Sequence, residues 1–164
     1  MILGIGLPRT GTYSLTVALN YLGYKTKHYP KTIESLKEYD AACEVRFPIT
    51  ELENMYPNSK YIVTVRDIDD WLWSCTAHFK NYKKGWNPFW LENWTEHYRN
   101  KQKSLKFFAT RTDKILILNI IEGEGWNKIC HFLNKKVPNI PFPKTNRSIN
   151  SHQKLLSQKN LKSS

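Results

Sequence analysis

The chain has 164 residues, of which 40% are hydrophobic and 13% aromatic, and its formal net charge is +11. This length and apolar content are enough for one hydrophobic core and exclude a second full domain. No apolar run approaches the roughly 18 residues of a membrane span, and the N-terminus lacks the charged stretch and apolar block of a signal peptide. We therefore expect a soluble, cytoplasmic protein with one domain over residues 1–146 and a basic, polar tail over residues 147–164.

Apolar runs and helical periodicity alternate along the chain. Strands are predicted near residues 1–6, 25–28, 40–44, 60–65 and 114–119, and helices near residues 12–22, 31–38, 47–56, 69–83, 88–110 and 124–134. Strands separated by helices favour parallel βαβ units, and a parallel sheet must be covered on both faces. The pattern predicts a three-layer α/β/α sandwich with a central, mostly parallel sheet. Residues that follow strand ends should then share one ligand-binding edge: residues 6–12, His28, Glu44, Arg66 and Asn119.

The first fourteen residues combine a short apolar strand, a Gly/Pro loop and the start of a helix. Gly6 and Gly11 are expected to let the backbone of this loop approach a ligand. The helix that follows directs its free N–H groups and the positive end of its dipole into the loop. The segment therefore predicts an anion-binding site, most simply one for phosphate.

The spacing of the glycines separates this loop from two common nucleotide-binding loops. A dinucleotide fingerprint needs a third glycine where this chain has Arg9. An ATP or GTP loop needs a lysine where this chain has Thr12. The positive charge of the loop is instead Arg9, beside the fixed turn at Pro8.

A second motif follows the fourth predicted strand. The run from Tyr61 to Val65 is β-branched and aromatic, and Arg66 comes directly after it. Trp71, Trp73 and Ser74 lie on the helix that follows, with Ser74 eight residues after Arg66.

Together the two motifs resemble the sulfotransferases that use 3′-phosphoadenosine-5′-phosphosulfate (PAPS). Their first loop has the form [PR]-[KR]-[ST]-G-T-x-[SL], and they hold the 3′-phosphate of the donor with a strand-end arginine and a serine eight residues later. Smaller members of the family also resemble this chain over residues 40–44, 51–60, 125–133 and 141–146. The resemblance covers most of residues 1–150. The segment after Glu44 departs from it by lacking an expected aspartate and proline, and long substrate-binding insertions are missing.

The resemblance implies a sulfotransferase with a P-loop-like fold, PAPS as donor, 3′,5′-adenosine bisphosphate (PAP) as product, and no metal. Arg9 would contact the leaving 5′-phosphate and the transferred group. Arg66 and Ser74 would hold the 3′-phosphate, and Trp71 or Trp73 would either border the adenine or pack in the core. Lys144, Asn146 and Arg147 would close over the 3′ side. The residues implied to bind the donor are Pro8, Arg9, Thr10, Gly11, Thr12, Tyr13, Ser14, Arg66 and Ser74.

An acceptor hydroxyl needs a general base, and two residues at strand ends are candidates. Glu44 lies where the family carries an acidic residue, and the apolar run before it is expected to raise its pKa. Its alternative is a structural pair with Arg46. His28 is the second candidate, since histidine titrates nearest neutral pH and larger relatives use a histidine base. We favour Glu44 as the catalytic base and His28 as a substrate-binding contact.

The remaining features leave the acceptor open. A small molecule or a glycan would suit the basic and aromatic residues between positions 78 and 106, which also fit single-stranded nucleic acid or a solvated helix face. No specific nucleic acid is expected, and nothing in the sequence specifies an oligomeric state. Cys43, Cys75 and Cys130 lack metal or disulfide spacing and are expected to be free thiols.

Two other functional classes compete with sulfuryl transfer. An ATP-dependent P-loop phosphotransferase would need a lysine at Thr12 and a metal-binding carboxylate, for which Asp67 is the candidate. A non-catalytic nucleotide- or nucleic-acid-binding protein would not need the pairing of Arg66 with Ser74.

Overall fold

The sheet is parallel throughout the part of the chain that the structure describes. The structure is a computed structural model, and it describes residues 1–82, 90–110 and 113–145. The strands, in sheet order β2-β3-β1-β4-β5, are β1 (Ile2–Gly4), β2 (Thr26–His28), β3 (Ala41–Cys43), β4 (Lys60–Thr64) and β5 (Ile115–Leu118). All five predicted strands are confirmed.

Helices connect the strands, as the periodicity predicted. They are α1 (Thr12–Tyr21), α2 (Ile49–Met55), α3 (Ile68–Tyr82), α4 (Trp90–Ala109) and α5 (Trp126–Leu133). The predicted helix at 31–38 is wrong in type, because residues Glu34–Glu38 form a 3-10 helix. There the Thr32 hydroxyl accepts from the N–H of Ser35 at 3.3 Å, a local bond that competes with α-helical hydrogen bonding. The predicted tail lies outside the described residues.

The sheet is covered on both faces, which makes the fold the predicted three-layer α/β/α sandwich. Alternate residues of each strand face opposite layers. Ile2 packs with α1 and α5, whereas its neighbour Leu3 packs with α2, α4 and the 3-10 helix. Cys43, Cys75 and Cys130 are free and buried, as expected.

The strand order places a crevice at the end of β1. After β1 the chain forms β2 and β3 on one side, then crosses to form β4 and β5 on the other. Such a reversal opens a gap beyond the carboxyl ends of the strands, where α/β proteins bind ligands. The loop 5–11 emerges from β1 at this point.

Candidate functional site

The loop after β1 is fastened to the end of β4. The hydroxyl of Thr10 lies 2.6 Å from that of Thr64 and donates to the carbonyl of Leu7 at 2.6 Å, and the Thr10 N–H donates to the same carbonyl. A Cβ on Gly6 would lie 1.9 Å from Thr64 Oγ1. Gly6 therefore lets the loop pack on β4, and a further role in letting the loop approach a ligand stays a prediction.

The two sequence motifs meet at Arg9. Its Nε donates to Ser74 Oγ at 3.1 Å, and its carbonyl accepts from Arg66 Nη1 at 3.1 Å. Trp71 contacts the same loop, since its indole N–H donates to the carbonyl of Pro8 at 2.8 Å. Trp71 is buried against Trp94 and Tyr98, which fulfils the core-packing alternative for it.

Arg66 is held in place but not neutralised. Its carbonyl accepts from the hydroxyl of Tyr98, and its Nε is buried with no hydrogen-bond partner among the described residues. Burial lowers the pKa of Arg66, Asp70 raises it in part, and Arg9 lowers it further. Neither Arg9 nor Arg66 forms an ion pair within residues 1–82, 90–110 and 113–145. Two adjacent guanidinium groups without a carboxylate partner favour an anionic ligand.

The N-terminus of α1 opens into the same space. Its N-cap, Gly11, has φ 100°, and no side chain caps the helix, so its first N–H groups remain available to a ligand. A Cβ on Gly11 would lie 3.2 Å from Ile120, so this glycine also serves packing. Ser14 Oγ is 3.1 Å from the Thr145 hydroxyl and accepts from the Thr145 N–H at 3.2 Å. The segment before residue 146 is thereby fixed beside the first turn of α1.

Glu44 forms the opposite end of the site. Its Oε2 accepts from the Thr12 hydroxyl at 3.0 Å and lies 3.4 Å from His28 Nε2, while Oε1 accepts from Arg46. Burial raises the pKa of Glu44, but the hydrogen bonds from His28, Arg46 and Thr12 outweigh burial and leave the pKa below its ordinary value. The expectation of a raised pKa is wrong because these three donors stabilise the carboxylate.

Three residues around this edge have left-handed backbones although none is glycine. They are Arg9 (φ 68°), Tyr29 (φ 51°) and Glu44 (φ 56°). Each comes at the end of a strand or in the loop after it, and such conformations persist only where surrounding contacts impose them.

These groups enclose a cavity of about 440 Å³. Its lining contains one carboxylate, Glu44, against the cations Arg9, Arg46, Arg66 and Lys144. A wider depression of about 550 Å³ lies beside α5, but it is lined by residues 123–128 and 137–142 and includes none of the predicted site residues. The smaller cavity is therefore the candidate site. Its lining comprises Pro8, Arg9, Gly11, Thr12, Tyr13, Ser14, His28, Glu44, Arg46, Arg66, Cys75, His78, Ile120, Ile121, Lys144 and Thr145.

Comparison with known proteins identifies the family. The family model described as a sulfotransferase domain matches residues 1–45, 30–114 and 92–150. The chain belongs to the sulfotransferase domain family. A curated relative, the Ava biosynthesis cluster protein M of Aspergillus versicolor, is 24% identical over 212 aligned positions that cover 87% of this chain and 79% of that protein. Because the alignment is longer than this chain, the relative carries insertions that this chain lacks.

Seven of the nine residues implied to bind the donor line the cavity, and the other two, Thr10 and Ser74, lie behind it. Thr10 is fully buried, with its hydroxyl and N–H engaged inside the protein. Ser74 is also fully buried and reaches the site through Arg9. Asn119 does not line the cavity, because its side chain and N–H bond within the loop at Glu122 and Glu124. Lys144 lines the cavity, whereas Asn146 and Arg147 lie outside the described residues.

Sequence reasoning missed His78, Ile120 and Ile121, and it gave Cys75 no place in the site. His78 lies four residues after Ser74, so the two share one face of α3, and this spacing was the signal available. Burial and the nearby charge of Arg9 lower the pKa of His78, while Glu44 raises it. The charges of both Arg9 and Glu44 thus act on His78, which lines the cavity. Within the described residues, no helix is long and apolar enough to cross a membrane.

Proposed function

We propose that this sulfotransferase moves a sulfuryl group from PAPS to a hydroxyl or amine of an acceptor and releases PAP. The observation that carries the proposal is the contact between the two motifs, in which Arg9 binds Ser74 through its side chain and Arg66 through its carbonyl. A donor with one phosphate at the 3′ position and another at the 5′ position of its ribose needs two anion sites facing one cavity. The α1 loop and Arg66 would supply them.

The residues present fit PAPS. Arg9, Arg66 and Lys144 line the cavity, and none forms an ion pair within the part of the chain that the structure describes. The buried Nε–H of Arg66 has no hydrogen-bond partner among the described residues, and the uncapped N–H groups of α1 are further donors. Arg9 and the α1 turn would hold the 5′-phosphate, and Arg66 the 3′-phosphate.

PAPS, when bound, supplies the sulfuryl group, whose bond to the 5′-phosphate oxygen breaks as its bond to the acceptor oxygen forms. The charge that develops on the leaving phosphate oxygen would be stabilised by Arg9, a role in which one preorganised donor contributes about 3–4 kcal/mol. The acceptor proton would pass to the Glu44 and His28 pair. Since Glu44 is a carboxylate at neutral pH, it can receive the proton directly or orient His28 to receive it.

An ATP-dependent phosphotransferase is a weaker second candidate. Thr12, at the position of the lysine in ATP loops, is buried and bonded to Glu44. Asp67, its candidate metal ligand, accepts from the N–H groups of Asp69 at 2.9 Å and Asp70 at 3.2 Å, so it caps the start of α3 instead.

Nucleotide binding tests the donor assignment directly. In thermal unfolding experiments, PAP should stabilise the protein far more than 5′-AMP or Mg-ATP at equal concentration. Transfer of radiolabelled sulfate from PAPS to a panel of hydroxyl compounds then tests catalysis. Equal stabilisation by all three nucleotides would discard the PAPS assignment.

A further inference from the structure

Two cations share one aromatic ring beside the Glu44 end of the cavity. The Arg46 guanidinium carbon lies 4.5 Å from the centre of the Tyr29 ring, and Lys31 Nζ lies 3.8 Å from it. The left-handed turn at Tyr29 is fixed by its N–H, which donates to the carbonyl of Cys43 at 2.9 Å. The ring is therefore anchored to the same sheet edge as Glu44.

The charge of this cluster is not balanced. Glu44 is its only ion-pairing carboxylate among the described residues, and that carboxylate is already shared by Arg46, His28 and Thr12. Lys31 is exposed and forms no ion pair in the described ranges. The Arg46 side chain is 52% exposed, which leaves guanidinium donors open to solvent. Because both cations lie over the same ring, an anion bound by one is also attracted by the charge of the other.

We propose that the acceptor carries an anionic group, a carboxylate or a sulfate or phosphate ester, in addition to the hydroxyl that receives the sulfuryl group. Arg46 and Lys31, held on Tyr29, bind that anionic group. This inference rests on the proposed function, since it assigns the acceptor side of the same site. The inference goes beyond the proposed function because it specifies the chemical class of the acceptor.

The geometry links the anionic group to the reaction. Arg46 donates to one oxygen of Glu44, and the other oxygen lies beside Thr12 and His28. An anion bound to Arg46 thus lies beside Glu44, which is one of the two proposed proton acceptors. Tyr13, which is 44% exposed and packs edge-on against His28 with ring centres 5.2 Å apart, adds an aromatic side chain to the lining of the cavity. A hydroxylated aromatic acid fits these contacts.

A matched pair of fluorescent probes tests the proposal. In the presence of saturating PAP, 6-hydroxy-2-naphthoate should bind several-fold more tightly than 2-naphthol, and added salt should reduce the difference. Lys31→Gln should weaken binding of the naphthoate about fivefold and leave the naphthol unchanged. Lys37→Gln, which removes an equal charge from the exposed face of the 3-10 helix, is the control and should change neither.

The outcomes separate this inference from the proposed function. Equal or weaker binding of the naphthoate, or an equal effect of Lys31→Gln on both probes, overturns the anionic acceptor while PAP binding stands. Absence of stabilisation by PAP overturns the donor assignment first. Where transfer occurs, the Lys31→Gln effect should appear in KM for the naphthoate and not in kcat.

Discussion

Removing the Ser74 hydroxyl should weaken nucleotide binding by releasing Arg9. Ser74 is fully buried, and the bond from Arg9 Nε to its Oγ joins α3 to the loop after β1, together with the bond from Trp71 to Pro8. In Ser74→Ala, Arg9 loses this acceptor and gains rotational freedom before a ligand binds. The structure therefore predicts weaker binding of the 5′-phosphate that Arg9 is proposed to contact.

The magnitude follows from the type of bond. A hydrogen bond to a charged group contributes about 1.5–3 kcal/mol, and water recovers part of this at a half-buried arginine, which leaves about 1–2 kcal/mol. That free energy corresponds to a rise of about 5-fold to 30-fold in the dissociation constant of PAP. Isothermal titration with PAP, 5′-AMP and 3′-AMP would measure the change for each phosphate separately.

Ser59→Ala is a matched control for this experiment. Ser59 is equally buried, lies before β4 at the end of the sheet away from the cavity, and has a hydroxyl without a partner among the described residues. Its substitution should leave all three affinities unchanged. We expect Ser74→Ala to weaken PAP and 5′-AMP alike. A loss confined to PAP and 3′-AMP would refute the action through Arg9 and would instead support direct contact with the 3′-phosphate.

Two further predictions concern stability, and urea unfolding measures both. Gly6→Ala should lower the free energy of unfolding by about 3 kcal/mol, because the added Cβ would collide with Thr64 Oγ1. The control Gly23→Ala should lower it by about 1 kcal/mol, because Gly23 has φ 89° but no neighbour within 4 Å. Equal losses in the two variants would contradict the packing role of Gly6. Glu44 has a lowered pKa, so its stabilising effect is full above pH 4.5 and is lost as the pH falls through the folded value. The difference in unfolding free energy between wild type and Glu44→Gln should shrink below pH 4.5, and a difference independent of pH would argue against the carboxylate network.

The sheet and helices were accessible from sequence because their signals are local. The run at Tyr61–Val65 and the apolar positions of α1 each specify an element without help from distant residues. The prediction of a helix over residues 31–38 was wrong in type because a hydroxyl contact between Thr32 and Ser35 replaced α-helical hydrogen bonding, and helical periodicity does not report such contacts.

The site was accessible only in part. Arg9 and Arg66 follow strand ends, so a parallel sheet places them together, and the resemblance to sulfotransferases names them. The pKa of Glu44 was predicted in the wrong direction because Thr12 and His28, both distant in sequence, converge on its carboxylate only in the fold. His78 was missed because its place in the cavity lining depends on which face of α3 packs against the loop after β1. The spacing between Ser74 and His78 does not by itself predict that face.

The left-handed backbones of Arg9, Tyr29 and Glu44 lower the thermal stability of the molecule. At each of these three positions glycine would relieve backbone strain. Substitutions chosen only to raise the melting temperature would therefore tend to remove the side chains of Arg9 and Glu44 from the lining of the cavity.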